Sequence, residues 1–433
     1  MASASPSSSS GLTVEIFGDD WGTALSYHVY NLNGTPQACS QTFSSGSYTS
    51  LIVVITTWDY SQTNTLTGLT LHPLALPAST MNQWSMGYYN SYYPGYGFNL
   101  PVSAIQWNGL THVIQVGTLV NADGTLDLTT LEFSTSAAAL VAAAHSHQVM
   151  AIVDLKADSE ANWNTAIGSH LSTLVSSIMT VVNNYNFDGV DLNWEPFTVA
   201  TSGVHMTAFS AALRTALGTK VLTVAAPAQT QGYAYWGANH GSFDRVNLMT
   251  YDMNGSDWDG YPWFNSPIYG NSVYSVESFA GHFLAQGLPA TKLGIGIPFY
   301  GIRWTGGILD SDNNQGISGP RQMWKSGNAP TQQPLYYNSL ISLITTQEYH
   351  WDTVALVPYL SHVGTTPNTY WYLTYDDPQS IQAKIQYIIA QGFGGWMIWE
   401  LGADYTAGTL KPHPLLSAIY DKPPLLKSGM GLR

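Results

Sequence analysis

From about residue 83 onward the chain alternates between short apolar runs and longer stretches with helical spacing, and this rhythm restricts its fold more than any other feature. The runs lie at 86–91, 112–119, 149–155, 190–195, 221–226, 246–251, 293–300 and 395–399. Helical patterns fall between them, at 163–185, 205–217, 276–286 and 380–391. Such alternation is the mark of parallel strands joined by crossover helices. Eight strands of this kind predict an α/β fold, a (β/α)8 TIM barrel over residues 83–425. One connection is too long for a helix alone. Between Ile302 and Asp377 lie two more strand-like pieces, 354–359 and 370–374, which predict a small α+β insertion at about 303–374, between strands seven and eight. A barrel of ~250 residues with insertions fills most of a chain of this size.

The segment before residue 83 has a different grain. Residues 1–11 are Ser-rich and read as a linker. Residues 12–80 form a small β-rich segment, with strand-like runs at 13–17, 27–32 and 51–57 separated by Gly, Asn and Asp turns. The first residues have neither a basic stretch nor an apolar one, so a secreted protein whose leader is absent from this sequence is expected. Scarce Lys and Cys beside 27 Tyr and 15 Trp fit that location.

Charge narrows the partners. Only 9% of residues are charged, with 13 Lys+Arg against 27 Asp+Glu and a formal net charge of −14. So few cations cannot assemble a phosphate-tracking surface, which excludes nucleic acid as the expected partner. No apolar run reaches the ~18 residues that a membrane span needs, so no membrane partner is expected. Cys39 is the only cysteine, which excludes an internal disulfide and a cysteine metal cluster. No HExxH spacing, Gly-x-Ser-x-Gly elbow or Walker loop is present. His145 and His147, near a helix end, read as capping or surface residues. A monomer is expected.

The densest chemistry falls on the fourth run, Phe187-Asp-Gly-Val-Asp-Leu-Asn-Trp-Glu-Pro196. Strand side chains alternate between faces, so Asp191, Asn193 and Glu195 point together into the barrel, toward its C-terminal mouth. Trp194 alternates away, into the layer between barrel and helices. Two inward carboxylates are costly to bury without a task. They serve either as acid–base machinery or as a polar ladder that fixes barrel register. If chemistry is their task, the charge of Asp191 is expected to raise its neighbour and keep Glu195 protonated as a general acid. Asp188 is expected to play a supporting part, steadying the Asp191 side through the Gly189 turn.

The pattern Asp188-x-x-Asp191-x-Asn193-x-Glu195 resembles the DxxDxDxE signature of glycoside hydrolase family 18, the chitinases and their relatives. Further motifs follow in the same order as in that family. They are Met86-Gly-Tyr-Tyr-Asn90, Asn247-Leu-Met-Thr-Tyr-Asp252, Gly296-Ile-Pro-Phe-Tyr-Gly301, Thr374-Tyr-Asp-Asp-Pro378 and Gly394-Gly-Trp-Met-Ile-Trp399. The resemblance covers about residues 83–422, and the insertion is similar to that of the bacterial-type subgroup with a deep cleft. It implies a chitinase that cuts β-1,4 bonds between N-acetylglucosamine units with retention, the substrate's own 2-acetamido oxygen forming an oxazolinium ion. By the same resemblance Glu195 is the acid and later the base, with Asp191 and Asn193 beside it. Tyr251 would hydrogen-bond the acetamido group and Asp252 would orient the sugar. Tyr88, Met249 and Trp399 would line the subsite, Trp399 as its floor. Trp258, Trp263 and Trp304 are candidate stacking platforms or loop packing. Chitin and its oligosaccharides are the implied partners, and no metal or organic cofactor is implied.

Two departures stand out. Asn193 occupies a position where the family has Asp, which removes a negative charge worth about 1–3 kcal/mol to a developing cation. The third run, Ala151-Ile-Val-Asp-Leu-Lys156, lacks the family's Ser-x-Gly-Gly. Two other readings therefore stay open: a chitinase-like lectin that binds without cutting, and an endo-β-N-acetylglucosaminidase acting on N-glycan cores. The opening of the N-terminal segment, Val14-Glu-Ile-Phe-Gly-Asp-Asp-Trp-Gly, resembles the first strand of carbohydrate-binding β-sandwich modules. A truncated module and a strand cap on the main domain are both open there.

Overall fold

Eight parallel strands close on themselves in the order β1-β8-β7-β6-β5-β4-β3-β2, with β1 pairing back to β2. They are β1 (Trp84–Tyr89), β2 (His112–Val120), β3 (Met150–Lys156), β4 (Gly189–Leu192), β5 (Val221–Pro227), β6 (Arg245–Met249), β7 (Leu293–Pro298) and β8 (Gly395–Trp399). This computed structural model describes residues 2–3, 10–17, 24–32, 52–57, 65–66, 83–90, 100–228, 232–253, 261–270, 274–345 and 347–420. The chain divides into two compact units, Met81–Tyr420 and, separately, Met1–Thr80 with Asp421–Arg433.

Among the described residues, the helices of seven residues or more are α1 (Leu131–Ser146), α2 (Glu160–Tyr185), α3 (Val199–Leu217), α4 (Tyr233–Asn239), α5 (Val276–Ala285), α6 (Pro378–Ala390) and α7 (Pro414–Tyr420). Their starts follow local chemistry. Ser159 and Ser275 cap α2 and α5 by accepting the backbone N–H of Asn162 and Ser278 at 3.2 Å. Asp377 caps α6, with Pro378 in its first turn. Asn186 ends α2 in the left-handed region, where Asn is among the residues best tolerated. Helix α2 has the length and composition to cross a membrane. Its place as the crossover between β3 and β4, burying Trp163, Ile167, Leu174 and Ile178, accounts for that apolar character.

The long connection before β8 is an antiparallel five-stranded sheet, ordered Thr331–Tyr336, Tyr300–Thr305, Trp371–Thr374, Val357–His362 and Tyr349–Asp352. The run at 293–300 is thus two elements. The barrel strand ends at Pro298 and the inserted sheet opens at Tyr300. The fourth strand is also shorter than its sequence pattern, ending at Leu192, so Asn193 and Glu195 stand on the chain that leaves it. In the N-terminal unit, Ser10–Phe17 lies between Ala24–Leu32 and Ile52–Thr57 in an antiparallel sheet, and Ala2–Ser3 pairs with Thr65–Leu66. Within the Ser-rich stretch, residues 2–3 and 10–11 lie in strands.

Candidate active site

Barrel strands present alternate residues to the interior. The inner cluster is Trp84, Met86 and Tyr88 of β1 with Ile114, Ile152 and Met397, and Met249, Tyr251 and Trp399 pack against it, half-buried. Glycines on β7 make this filling possible. A Cβ on Gly296 would lie 2.5 Å from the Leu248 carbonyl and 2.8 Å from the Tyr251 ring. Gly296 thus clears the space that Tyr251 occupies.

Above this apolar base comes a layer of acids. Asp191 on β4 lies in register with Asp154 on β3 and Thr223 on β5, and all three are fully buried. The Tyr88 hydroxyl donates to Asp191 Oδ2 at 2.6 Å, and the Thr223 hydroxyl donates to Oδ1. Burial pushes the Asp191 carboxyl up to about 6, with the two donated hydrogen bonds pulling the other way. Asp154 is raised well above the carboxylate range, first by burial and then by the Asp191 charge.

Glu195 stands higher, at the mouth, exposed to solvent on one side and walled by protein on the others. Its carboxyl is raised, mainly by the protein mass around it. Lys156 pulls it down, Asp252 pushes it up, and a hydrogen bond from the Asn193 side chain pulls it down again. The expected cause was Asp191; the acids that act on one another most directly are instead Asp154 and Asp191, one layer below. Asn193 is buried beside Glu195, whose carboxyl its side chain draws down, and its Oδ1 has no hydrogen-bond partner among the described residues.

Asp252 follows β6 with φ +60°, a left-handed conformation that Asp adopts more readily than most residues. Two residues hold it there. Asn265 Oδ1 accepts its backbone N–H at 2.9 Å, and Tyr300 donates its hydroxyl to Oδ1 at 2.6 Å. The Tyr251 phenol is raised well above its usual range, first by burial and then by the charges of Glu195, Asp252 and Asp191. It stays protonated and remains a hydrogen-bond donor.

Several expected residues sit elsewhere. Tyr88 is buried beneath the edge of Trp399, ring centroids 5.3 Å apart, and serves Asp191 rather than offering a face to a ligand. Trp304 is fully buried against Trp324 inside the inserted sheet, and Trp263 is buried with Arg321 over its ring, so neither is a stacking platform. Trp258 lies outside the described residues. Asp188 is at the far end of β4, where it binds the Ala151 N–H and His145 at 2.8 Å and ties β4 to β3 and α1. Trp194 stacks on Trp163 in the barrel–helix layer.

Sequence reasoning missed Asp154, Lys156, Thr223, Asn265 and Tyr300. For the β3 pair a signal existed, because residues 152, 154 and 156 share one face of a strand and charge is scarce in this chain. Thr223 and Asn265 carry no such signal.

The profile of glycosyl hydrolases family 18 matches residues 85–404. A probable endochitinase of Caenorhabditis elegans is 29% identical over 57% of this chain and 42% of its own length. Chitinase A1 of Niallia circulans is 29% identical over 53% of this chain and 36% of its own length. The chain thus spans about two fifths of the length of these curated relatives. Among solved structures, the Ostrinia furnacalis group IV chitinase in complex with allosamidin superposes with a TM-score of 0.67, at 21% identity over 78% of this chain and 98% of that one. Human YKL-39, described as a pseudo-chitinase with retained chitooligosaccharide binding, gives 0.63 at 18% identity over 78% of this chain and 98% of that one. With a closed eight-stranded barrel, an acid at its mouth and a family profile matched across it, the chain belongs to glycosyl hydrolase family 18.

Proposed function

We propose that the chain is a secreted chitinase, hydrolysing β-1,4 bonds between N-acetylglucosamine units with retention, and that the substrate's acetamido oxygen is its nucleophile. The observation that carries this reading is the Asn193–Glu195 pair at the mouth. Glu195 is exposed at the mouth with its carboxyl raised mainly by burial, which suits it to hold a proton for a ligand. The unpartnered Asn193 Oδ1 is an acceptor suited to an acetamido N–H.

The steps follow from these positions. Glu195 gives its proton to the glycosidic oxygen as the bond from that oxygen to C1 breaks. The acetamido carbonyl oxygen bonds to C1 from the opposite face, and positive charge spreads over the ring it forms. Tyr251 donates to that carbonyl oxygen and orients it. Asp191, buried below, is an anion at neutral pH and favours the developing cation. Glu195, now a carboxylate, takes a proton from water, whose oxygen attacks C1 and restores the acetamido group. The sugar product keeps its configuration. Asp191 is too deeply buried to be the nucleophile of the usual two-carboxylate route. Trp399, half-buried, supplies an apolar floor, and Asp252, held by Tyr300, is placed to accept a sugar hydroxyl.

Asn193 is the feature that favours the alternative, a binding protein without turnover. Incubation of the chain with N-acetylchitohexaose separates the two. Initial release of β-anomeric chitobiose supports the proposal. A hexaose that binds but stays intact overturns it.

A further inference from the structure

The inner face of β3 carries charge where a barrel interior is ordinarily apolar. Asp154 and Asp191 are opposed residues of adjacent parallel strands, which lie ~4.8 Å apart with side chains on the same face. Both are fully buried, yet their surroundings differ. Asp191 accepts hydrogen bonds from Tyr88 and Thr223. Neither oxygen of Asp154 has a hydrogen-bond partner among the described residues.

Two carboxylates on opposed residues of adjacent strands, in a site this dry, resist ionising together. The groups that face them are few. Tyr88 comes from β1, Lys156 from the end of β3, Glu195 from the chain leaving β4, Thr223 from β5, and Tyr251 with Asp252 from the chain leaving β6. Among them Lys156 is the one cation, and it is exposed at the mouth. Strands β7 and β8 contribute no titratable side chain. The titratable residue of β2, His112, is pressed downward by its burial and by Arg245, and carries no charge at neutral pH.

We infer that Asp154 is a positioning residue of the catalytic site: it keeps a proton and donates it to Asp191 as a third hydrogen bond, so that the pair carries one negative charge, centred on Asp191 beneath Asn193. The unequal donors decide where the proton rests. The carboxyl with two donors stabilises the anion, and the carboxyl with none keeps the hydrogen. The arrangement supplies, from the neighbouring strand, an ionisable partner for Asp191 that the amide of Asn193 cannot be. This inference rests on the chitinase reading only for its catalytic consequence. The proton itself is a property of the chain with or without turnover.

Two variants and two readouts test it. Difference infrared spectroscopy at pH 7 on the unaltered chain against Asp154→Asn should lose one protonated-carboxyl band; no lost band overturns the shared proton. On chitohexaose, Asp154→Asn still offers an N–H to Asp191 and should keep its rate within about threefold, whereas Asp154→Leu offers nothing. The Leu variant should lose about tenfold in kcat with little change in KM. The acidic limb of its pH profile should move up by about one unit as Asp191 loses a donor. Equal losses in both variants with the limb unmoved would mean that Asp154 only fills space, and would overturn the positioning role. If the unaltered chain cuts nothing while the infrared band is present and lost in Asp154→Asn, the proton pair stands and the chitinase reading falls.

Discussion

Two of the buried acid sites in the barrel unit are treated in opposite ways. Behind the strands, Asp404 has both oxygens occupied. Oδ1 faces His413 Nδ1 at 3.1 Å, and Oδ2 accepts the backbone N–H groups of Leu415 and Leu416 at 2.9 Å. The other ring nitrogen of His413 lies 2.9 Å from the Ala104 carbonyl. This closed set ties the chain after β8 and the start of α7 to the segment after β1. Inside the barrel, neither oxygen of Asp154 has a hydrogen-bond partner among the described residues, nor does Asn193 Oδ1. Satisfied polar groups hold a fold together, whereas incompletely satisfied ones store the capacity to act on a ligand. Asp404 and Asp154 are equally buried, and what differs between them is how far their oxygens are satisfied.

Glu195→Gln is the sharpest way to break this comparison. It should lower hydrolysis of chitohexaose by about 10³-fold or more, with oligosaccharide affinity and melting temperature nearly unchanged. Turnover near that of the unaltered chain would remove Glu195 from the chemistry. His413→Ala should do the reverse, costing about 3 kcal/mol in denaturant unfolding because it leaves Asp404 buried beside an empty place. Burial alone would lower His413, but the hydrogen bond and charge of Asp404, with the Ala104 carbonyl, raise it. Its contribution is therefore complete below the unfolded value of about 6.5 and is lost as pH rises through the higher folded value. The destabilisation by His413→Ala should be larger at pH 5 than at pH 9. A penalty independent of pH would mean that His413 acts by packing alone.

Asn193→Asp should have the smallest effect, a severalfold rise in kcat from an added anion under the developing cation. The added acid also faces Glu195 and Asp191, so the acidic limb of the profile should shift upward. A lower rate would mean that the site is built around the amide.

The barrel was legible because its signal is periodic. The eight apolar runs lie on the eight strands, and the ordered motifs fall on β1, β4, β6, β7 and β8 or just after them, except Thr374–Pro378, which links the inserted sheet to α6. The limits of that legibility are physical. Register between β3 and β4 brings Asp154 against Asp191, and a parallel pairing leaves no trace within either strand alone. The exposure of Trp263 and Trp304 depends on how the inserted sheet folds over them, and residue type does not carry that information. Tyr300 lay inside a recognised motif, but its role needs the turn at Asp252 to place a carboxylate within reach.

That turn has a consequence for what the inserted sheet holds in place. The inserted sheet opens with Tyr300, which grips Asp252, and its Thr374 hydroxyl accepts the N–H of Asn265, whose side chain holds the Asp252 backbone. The insertion is therefore tied directly to the turn that carries Asp252. An exchange of this module between relatives that severed those three bonds would release Asp252 from its left-handed turn. A grafted sheet would have to bring its own clasp, which makes the inserted sheet and the Asp252 turn a single structural unit.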